Sequence, residues 1–359
     1  MSRLCSFAVV VLIGAACLAP AADRTHDIVP EDYFSLSAVT DLAVSPSGKH
    51  VAFAEARWDA AADNRRSDLW VVGVDGKDRP RRLTSDRAND RHPQWAADGR
   101  AVYVLANRKR EAEKKPPFDG STQVWRVPVG DGEPVAVTRV EGGVTGFDYA
   151  PKADVLFYST DTTAHDEDEF SPLRKKYGKV EYGHGPHKVS EIHRLDLVTW
   201  RETRVVAEKR YVRSFAVSDT GRRVGMFTAP DVTVVASEGK SRVDVWDAET
   251  GKVTETDSGW KDSAASPYPW LDHLAWNPAG DRLAFCTIFD AYPTEIIIQE
   301  VVRDAWKGVR VKRRDGVHVR GYGSPLRWLS DAALGYLGEK EGFVDVLAFG
   351  IESRQTLGE

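Results

Sequence analysis

The sequence predicts an all-β protein, more specifically a β-propeller of about six four-stranded blades. The first observation is compositional: the 359 residues include 29 Gly, 18 Pro, 11 Trp, 11 Tyr and 13 Phe, but only 2 Met. Gly and Pro mark turns, and aromatic residues are enriched in strands. The second observation is a strand–turn–strand pattern that occurs six times along the chain. Regular internal repeats of this kind are typical of stacked β architectures.

Each copy of the repeat contains an alternating apolar run, a short turn rich in Pro, Asp and Gly, and a second apolar run. The last turn residues fall at positions 48, 99, 153, 221, 280 and 332, and a further apolar run follows each pair. Alternation with a period of two and tight turns predict β-hairpins. Four strands per unit of about 50 residues predict a propeller blade, which buries its faces only against neighbouring blades. A β-sandwich would not need six similar units.

Six tryptophans recur in the predicted strands, and we expect them in equivalent strands. Packing between blades is the simplest role for them, since base stacking would need a basic groove. The chain has 49 Lys and Arg against 54 Asp and Glu, a net charge of −5, which argues against a nucleic-acid partner. The six are Trp70, Trp95, Trp125, Trp246, Trp276 and Trp328.

The N-terminus has the pattern of a signal peptide. Arg3 precedes an uncharged apolar run at 7–18 that is too short to span a bilayer, and Ala19 and Ala21 fit the small-residue cleavage rule. We therefore expect a signal peptide at 1–21, a lead-in segment at 22–38 and the propeller at 39–359. This predicts an exported protein, periplasmic or extracellular, with no membrane span after cleavage. The alternative is an uncleaved membrane anchor.

Cysteine use predicts no intramolecular disulfide in the processed chain. Cys5 and Cys17 lie in the predicted signal peptide, so only Cys286 remains. Cys286 lies in a strand-like run, where we expect a buried and unreactive thiol.

The sequence contains no recognisable catalytic, metal or cofactor motif. A nucleophile elbow needs Gly two residues before and two residues after the serine, and no serine here meets that requirement. His184 and His187 are three residues apart on a Gly- and Pro-containing loop, without further identifiable zinc ligands. For His92, His273 and His318 we expect structural roles. No catalytic residue, metal ligand or cofactor site is therefore assigned.

A charged insertion at about 161–190 interrupts the third repeat and is the best candidate for a substrate-binding segment. Its acidic residues could hold an amine, and an arginine or histidine could hold a carboxylate. The alternative is a solvated surface loop. The candidate residues are Glu167, Asp168, Glu169, Arg174, Tyr182 and His184.

Four segments resemble known propeller families. The turn at 45–53, Ser-Pro-Ser-Gly-Lys-His-Val-Ala-Phe, is similar to the TolB-type propeller repeat. The lead-in at 29–34, the strand at 67–71 and the insertion at 170–177 resemble the N-terminal propeller of the prolyl oligopeptidase family of serine peptidases, in its acylaminoacyl and dipeptidyl peptidase branch. In that family the propeller precedes an α/β-hydrolase domain, caps its active site and filters substrates by size.

The resemblance implies a noncatalytic propeller that gates substrate access in an exported serine peptidase, with the hydrolase domain absent from this chain. Because the family propeller commonly has seven or more blades, a six-repeat chain could also be an incomplete seven-bladed ring. One alternative is a stand-alone TolB-like propeller that binds a peptide or protein in the cell envelope. A third hypothesis is an enzyme that acts through the loop carrying His184 and His187, and only those two residues support it.

Overall fold

The computed structural model describes residues 26–163, 171–178, 188–207, 210–228, 241–303, 305–351 and 355–357. Their strands form six antiparallel sheets, each built from consecutive strands, which confirms the predicted six-bladed β-propeller. The first strand of each blade lies nearest the central axis, as in any propeller.

Blades 1 to 3 each contain four strands in sequence order. Blade 1 consists of β1 (Ser37–Val44), β2 (His50–Asp59), β3 (Asn64–Gly73) and β4 (Arg81–Arg82). Blade 2 consists of β5 (Arg91–Trp95), β6 (Ala101–Ala106), β7 (Gln123–Pro128) and β8 (Val135–Ala136). Blade 3 consists of β9 (Gly146–Ala150), β10 (Val155–Thr163), β11 (Lys188–Asp196) and β12 (Glu202–Val206).

Blades 4 and 5 repeat this order, and blade 6 modifies it. Blade 4 consists of β13 (Val212–Val217), β14 (Arg223–Thr228), β15 (Arg242–Asp247) and β16 (Lys252–Glu255). Blade 5 consists of β17 (Trp270–Trp276), β18 (Arg282–Ile288), β19 (Glu295–Val302) and β20 (Ala305–Arg310). In blade 6 the first strand is split into β21 (His318–Val319) and β22 (Arg327–Ser330), which both pair with β23 (Ala333–Lys340). Blade 6 is completed by β24 (Phe343–Gly350) and β25 (Gln355–Leu357).

Among the described residues, two short α-helices and one 3-10 helix lie outside the sheets. Helix α1 (Asp32–Ser35) precedes blade 1, within the predicted lead-in, and α2 (Ser171–Tyr177) lies within the insertion of blade 3. The 3-10 helix Gly259–Ser263 precedes blade 5.

The core is divided among the blade interfaces. The described residues form five buried apolar clusters, which lie between blades 1 and 2, 2 and 3, 3 and 4, 4 and 5, and 5 and 6. Leu69 packs toward Val104 in the first interface, and Ile298 packs toward Tyr336 in the last. In the described part of the chain, no such cluster joins blade 6 to blade 1. Each blade therefore depends on its neighbours for burial, as the repeat pattern predicts.

The repeated tryptophans occupy two strand positions, so the expectation of equivalent strands was wrong. Trp70, Trp125 and Trp246 lie on third strands, whereas Trp95, Trp276 and Trp328 lie on first strands just before the turn. Sequence alternation alone does not separate the two positions, because both lie in apolar strand-like runs that precede a turn.

The first-strand tryptophans link successive blades. The indole N–H of Trp95 donates to the carbonyl of Ala43 at 2.9 Å, and Trp276 donates in the same way to Ala216 at 2.9 Å. Trp328 donates to Ala275 at 3.0 Å. In each case the acceptor lies on the first strand of the preceding blade. The expected packing between blades therefore includes a directed hydrogen bond as well as apolar contact.

The antiparallel order sorts the connections into two ends of the molecule. One end, here called the turn end, carries the short turns between first and second strands. The opposite end, here called the loop end, carries the connections between second and third strands and those between blades. The longer connections, at 107–122, 164–187, 229–241 and 256–269, all join strand ends that lie at the loop end. Ligand contacts on a propeller are expected where variable loops concentrate.

Candidate functional site at the loop end of the axis

Among the described residues, the first strands of five blades are irregular, and in blade 6 the register shifts between Trp328 and Ser330. The pairing register shifts between Val39 and Asp41 in β1 and between Arg91 and Gln94 in β5. It shifts again at Arg213 in β13 and between Asp272 and Ala275 in β17. A bulge changes the direction of the side chains beside it, and bulges are over-represented next to functional sites. On the strands nearest the axis, several polar residues therefore lie at or beside positions where the regular strand pairing is interrupted.

Polar contacts link the first strands of blades 1, 2 and 3. The backbone N–H of His92 donates to Oδ2 of Asp41 at 3.3 Å, and the Gln94 amide nitrogen lies 2.8 Å from Nε2 of His92. The Gln94 side-chain oxygen accepts the backbone N–H of Tyr149 at 2.9 Å. His92 has a φ of 55°, an uncommon conformation for a residue other than glycine. Three blades are thereby joined through side chains that are themselves polar.

Asp148 continues this series toward blade 4. Its Oδ2 accepts the backbone N–H of Val217 at 2.6 Å. Loss of solvent raises the pKa of Asp148 above the usual range of an aspartate, while that N–H and the nearby His92 act in the opposite direction. A carboxyl with a raised pKa next to a histidine is a feature that often accompanies binding sites.

Arg213 provides a cationic group that links blades 4 and 5. Its guanidinium donates to the carbonyl of Leu271 and lies 4.5 Å from the ring centroid of Trp270. Burial lowers the pKa of Arg213, and the charge of Asp272 partly offsets this. An arginine stays protonated at any physiological pH, so Arg213 keeps its positive charge beside Asp272.

His273 lies beside the same aspartate. Its Nε2 is 3.5 Å from Oδ2 of Asp272, and its φ is 61°. That Nε2 is buried and has no hydrogen-bond partner among the described residues. A ligand group could satisfy it, because buried polar atoms normally have partners.

Taken together, these groups can bind a polar ligand but supply no nucleophile. Carboxylates, imidazoles and one guanidinium offer donors and acceptors suited to peptide groups. Among the residues that the structure describes, no three His, Cys, Asp or Glu side chains are grouped so that they could hold a metal ion.

The predicted substrate-binding residues belong to the connection between β10 and β11. The two strands extend into the insertion, with Asp161 opposite Ser190 and Thr163 opposite Lys188, so the insertion leaves blade 3 at the loop end. Arg174 lies in α2. Glu167, Asp168, Glu169, Tyr182 and His184 lie outside the described residues, as does His187. Their role in substrate binding stays a prediction.

Sequence reasoning missed the polar residues of the first strands. His92 and His273 were expected to be structural, and Asp41, Asp148 and Arg213 were not singled out. A usable signal existed for three of them, since Asp41, His92 and His273 each lie seven residues before the last turn residue of their repeat. Asp148 and Arg213 lie at other distances from the turn, so a comparison of the copies would not have shown them.

Cys286 lies where the sequence predicted. Its side chain is fully buried in the interface of blades 5 and 6, and burial raises the pKa of its thiol to about 12. A thiol that is not ionised at neutral pH is a poor nucleophile.

Comparison with known proteins supports the predicted resemblance. The chain is 26% identical over 173 residues to dipeptidyl-peptidase 5 of Porphyromonas gingivalis, which covers 47% of this chain and 24% of the relative. The matched part of the chain thus spans about a quarter of that curated relative. No model of a known protein family matches the chain.

Solved structures share the fold. Acylaminoacyl peptidase of Pyrococcus horikoshii superposes with a TM-score of 0.57 and 9% identity, covering 88% of this chain and 45% of that one. TolB of Acinetobacter baumannii gives a TM-score of 0.51 with 12% identity, covering 86% and 63% of the two chains. The resemblance predicted from the sequence is confirmed. The chain is a six-bladed propeller similar to the propellers of prolyl oligopeptidase-family peptidases and of TolB.

The structure also bears on membrane association. In the described ranges, no helix combines the length and the apolar character needed to cross a bilayer.

Proposed function

We propose that this chain is the noncatalytic, substrate-gating propeller of an exported serine peptidase of the prolyl oligopeptidase family. The observation that carries the proposal is the sequence similarity to dipeptidyl-peptidase 5. The hydrolytic chemistry is then supplied by an α/β-hydrolase domain outside these 359 residues, because no serine in the chain has the elbow spacing.

In this role the loop end faces the hydrolase domain and the first strands line the route of the substrate. Asp41, His92, Asp148 and Arg213 present both signs of charge near the axis, which suits peptide groups and peptide termini alike. Gating by size then follows from the width of the axis between rigid blades. The insertion at 161–190 leaves blade 3 at the same end, and we expect it to contact the substrate.

The test combines a capture experiment with an activity measurement. The tagged chain is incubated with an envelope extract of the source organism, captured, and treated with a fluorophosphonate probe that labels active serine hydrolases. We expect one labelled hydrolase in the captured fraction, whose dipeptide-releasing activity is absent from the chain alone. Arg213→Ala and His92→Ala should change the activity of the complex toward long peptides more than toward dipeptide substrates.

The alternative is a stand-alone TolB-like propeller that binds a peptide or protein in the envelope. The likeness to TolB over 86% of this chain supports it. A captured fraction without any labelled hydrolase, together with a coding sequence after codon 359 that lacks a Gly-x-Ser-x-Gly motif, would favour this alternative and reject the peptidase role.

A further inference from the structure

A recess at the turn end lies between blades 2 and 3. It has a volume of about 370 Å³, which is within the range of small-ligand sites. The first turn of blade 2, at Ala97 and Asp98, forms one wall, and Asp154 of blade 3 lies opposite. Leu197 and Trp200, from the connection between β11 and β12, border its mouth. The recess is therefore separate from the loop-end site.

Three aromatic side chains surround this space. Tyr103 and Tyr149 are buried, and their ring centroids are 5.0 Å apart. Trp200 is 57% exposed, although it is one of the largest apolar side chains on the surface. Its φ is 58°, and its backbone N–H donates to the carbonyl of Asp196 at 2.8 Å. A bulky residue in the left-handed region is an outlier that often marks a functional constraint.

The charges around the recess leave a net negative balance. The Tyr149 hydroxyl donates to Oδ1 of Asp154 at 2.8 Å and accepts the backbone N–H of Ala97 at 3.3 Å. The side chain of Arg126 hydrogen-bonds to Tyr103, and Asp98 and Asp154 both lie near enough to act on the Tyr103 hydroxyl. Burial, the largest cause, raises the pKa of Tyr103 to about 12, so this hydroxyl stays neutral. Two carboxylates against one guanidinium give a formal charge of −1.

We propose that this recess binds an alkylammonium group, either a lysine side chain of a partner protein or a small free amine. A cation is attracted both by the faces of aromatic rings and by the excess carboxylate. The apolar lining residues of the recess, among them Val137 and Leu197, favour burial of the methylene groups of a short aliphatic chain. The proposal does not depend on the peptidase role.

The test is a titration of the whole chain with n-butylammonium chloride, monitored by calorimetry and by the change in tryptophan fluorescence on binding. Trp200→Asn removes the contribution of Trp200 to that change. We expect saturable binding that weakens as salt is added, because one ion pair is formed. Neutral n-butanol and anionic butyrate should not bind at the same concentrations. Asp154→Asn and Asp98→Asn should each weaken binding about tenfold.

Asp315→Asn is the matched control, since it removes an exposed carboxylate at the opposite end of the molecule and should leave binding unchanged. Equal binding of n-butanol, or unchanged binding in both recess variants, would overturn the proposal. A parallel titration with Nα-acetyl-lysine methylamide identifies the source. Binding of both compounds indicates a partner's lysine, whereas binding of n-butylammonium alone indicates a free amine.

Discussion

At the scale of single residues, the buried carboxyl of Asp90 is the most informative group. Asp90 is 1% exposed, and its Oδ1 accepts a hydrogen bond from Nη2 of Arg108 at 2.9 Å. Its Oδ2 accepts the hydroxyl of Thr84 at 2.5 Å. Burial still raises the pKa of Asp90 to about 6, against the opposing effect of Arg108. The cost of desolvation therefore exceeds the gain from these partners.

This shift predicts a definite dependence of stability on pH. The folded-state pKa of about 6 lies above the ordinary value of 3.8, so the folded protein binds the proton more tightly than the unfolded chain. The contribution of Asp90 to the free energy of unfolding is fully present below pH 3.8 and is lost as the pH rises through about 6. The measurement is urea unfolding of the native chain and of Asp90→Asn at several pH values between 4 and 7.

Asp90→Asn serves as the reference because all other titrating groups are common to the two proteins. As the pH rises across this interval, the free energy of unfolding of the native chain should fall relative to that of Asp90→Asn. A difference that is constant with pH, or that changes in the opposite direction, would show that Asp90 does not carry a raised pKa.

At the scale of elements, one contact recurs between blades. It is the hydrogen bond from a first-strand tryptophan to the preceding blade. Trp276 and Trp70 form a useful pair, since both are half-buried and each lies beside another aromatic ring. The indole nitrogen of Trp276 donates to Ala216 at 2.9 Å. The indole nitrogen of Trp70 is buried without a hydrogen-bond partner among the described residues.

Phenylalanine at these two positions should therefore have different effects. Trp276→Phe loses a hydrogen bond between blades and leaves the Ala216 carbonyl without its partner, whereas Trp70→Phe removes an unsatisfied N–H. We expect Trp276→Phe to lower the free energy of unfolding by about 1 kcal/mol more than Trp70→Phe does. Chemical denaturation of both variants measures this, and equal losses would mean that the indole hydrogen bond contributes nothing.

At the scale of the whole molecule, the distinctive feature is a pair of exposed surfaces, one on the side of blade 1 away from blade 2 and one on the side of blade 6 away from blade 5. We call these two surfaces the seam and define it by Leu42 and Val44 on blade 1 and by Leu329 and Val346 on blade 6. Their exposed fractions are 59%, 57%, 61% and 71%. Strand neighbours such as Ala43 and Leu347 point to the opposite faces, toward blades 2 and 5. The seam is thus apolar on both sides.

An exposed apolar surface of this kind predicts self-association of the isolated chain. We expect sedimentation velocity to show species larger than the monomer that increase with protein concentration. Leu42→Lys combined with Val346→Lys should shift the distribution toward monomer. Because both side chains are exposed, the free energy of unfolding should change by no more than about 0.5 kcal/mol per site.

Val135→Lys and Val198→Lys form the matched control, since both valines are exposed, at 55% and 74%, but belong to blades 2 and 3, away from the seam. If this pair reduces association as much as the seam pair does, the effect is one of net charge and not of the seam. A native chain that stays monomeric at every concentration would contradict the prediction outright.

The sequence by itself determined the local architecture of this protein. The alternation of apolar residues sets which face of each strand is buried, and turn residues such as Gly48 and Gly280, both at positive φ, set where strands reverse. Both signals act within a few residues, so the six blades and the burial of Cys286 could be predicted. The resemblance to peptidase and TolB propellers also followed from such short segments.

Only the tertiary structure decided which residues meet. His92 contacts Asp41 across 51 positions, and Val217 contacts Asp148 across 69 positions. The recess at Trp200 and the open seam likewise depend on how neighbouring blades pack. No local pattern encodes these pairings, because they are set by blade spacing around the axis and by bulges that redirect single side chains. The blades can therefore be predicted from local sequence patterns, whereas the sites between them form only when the blades pack against one another.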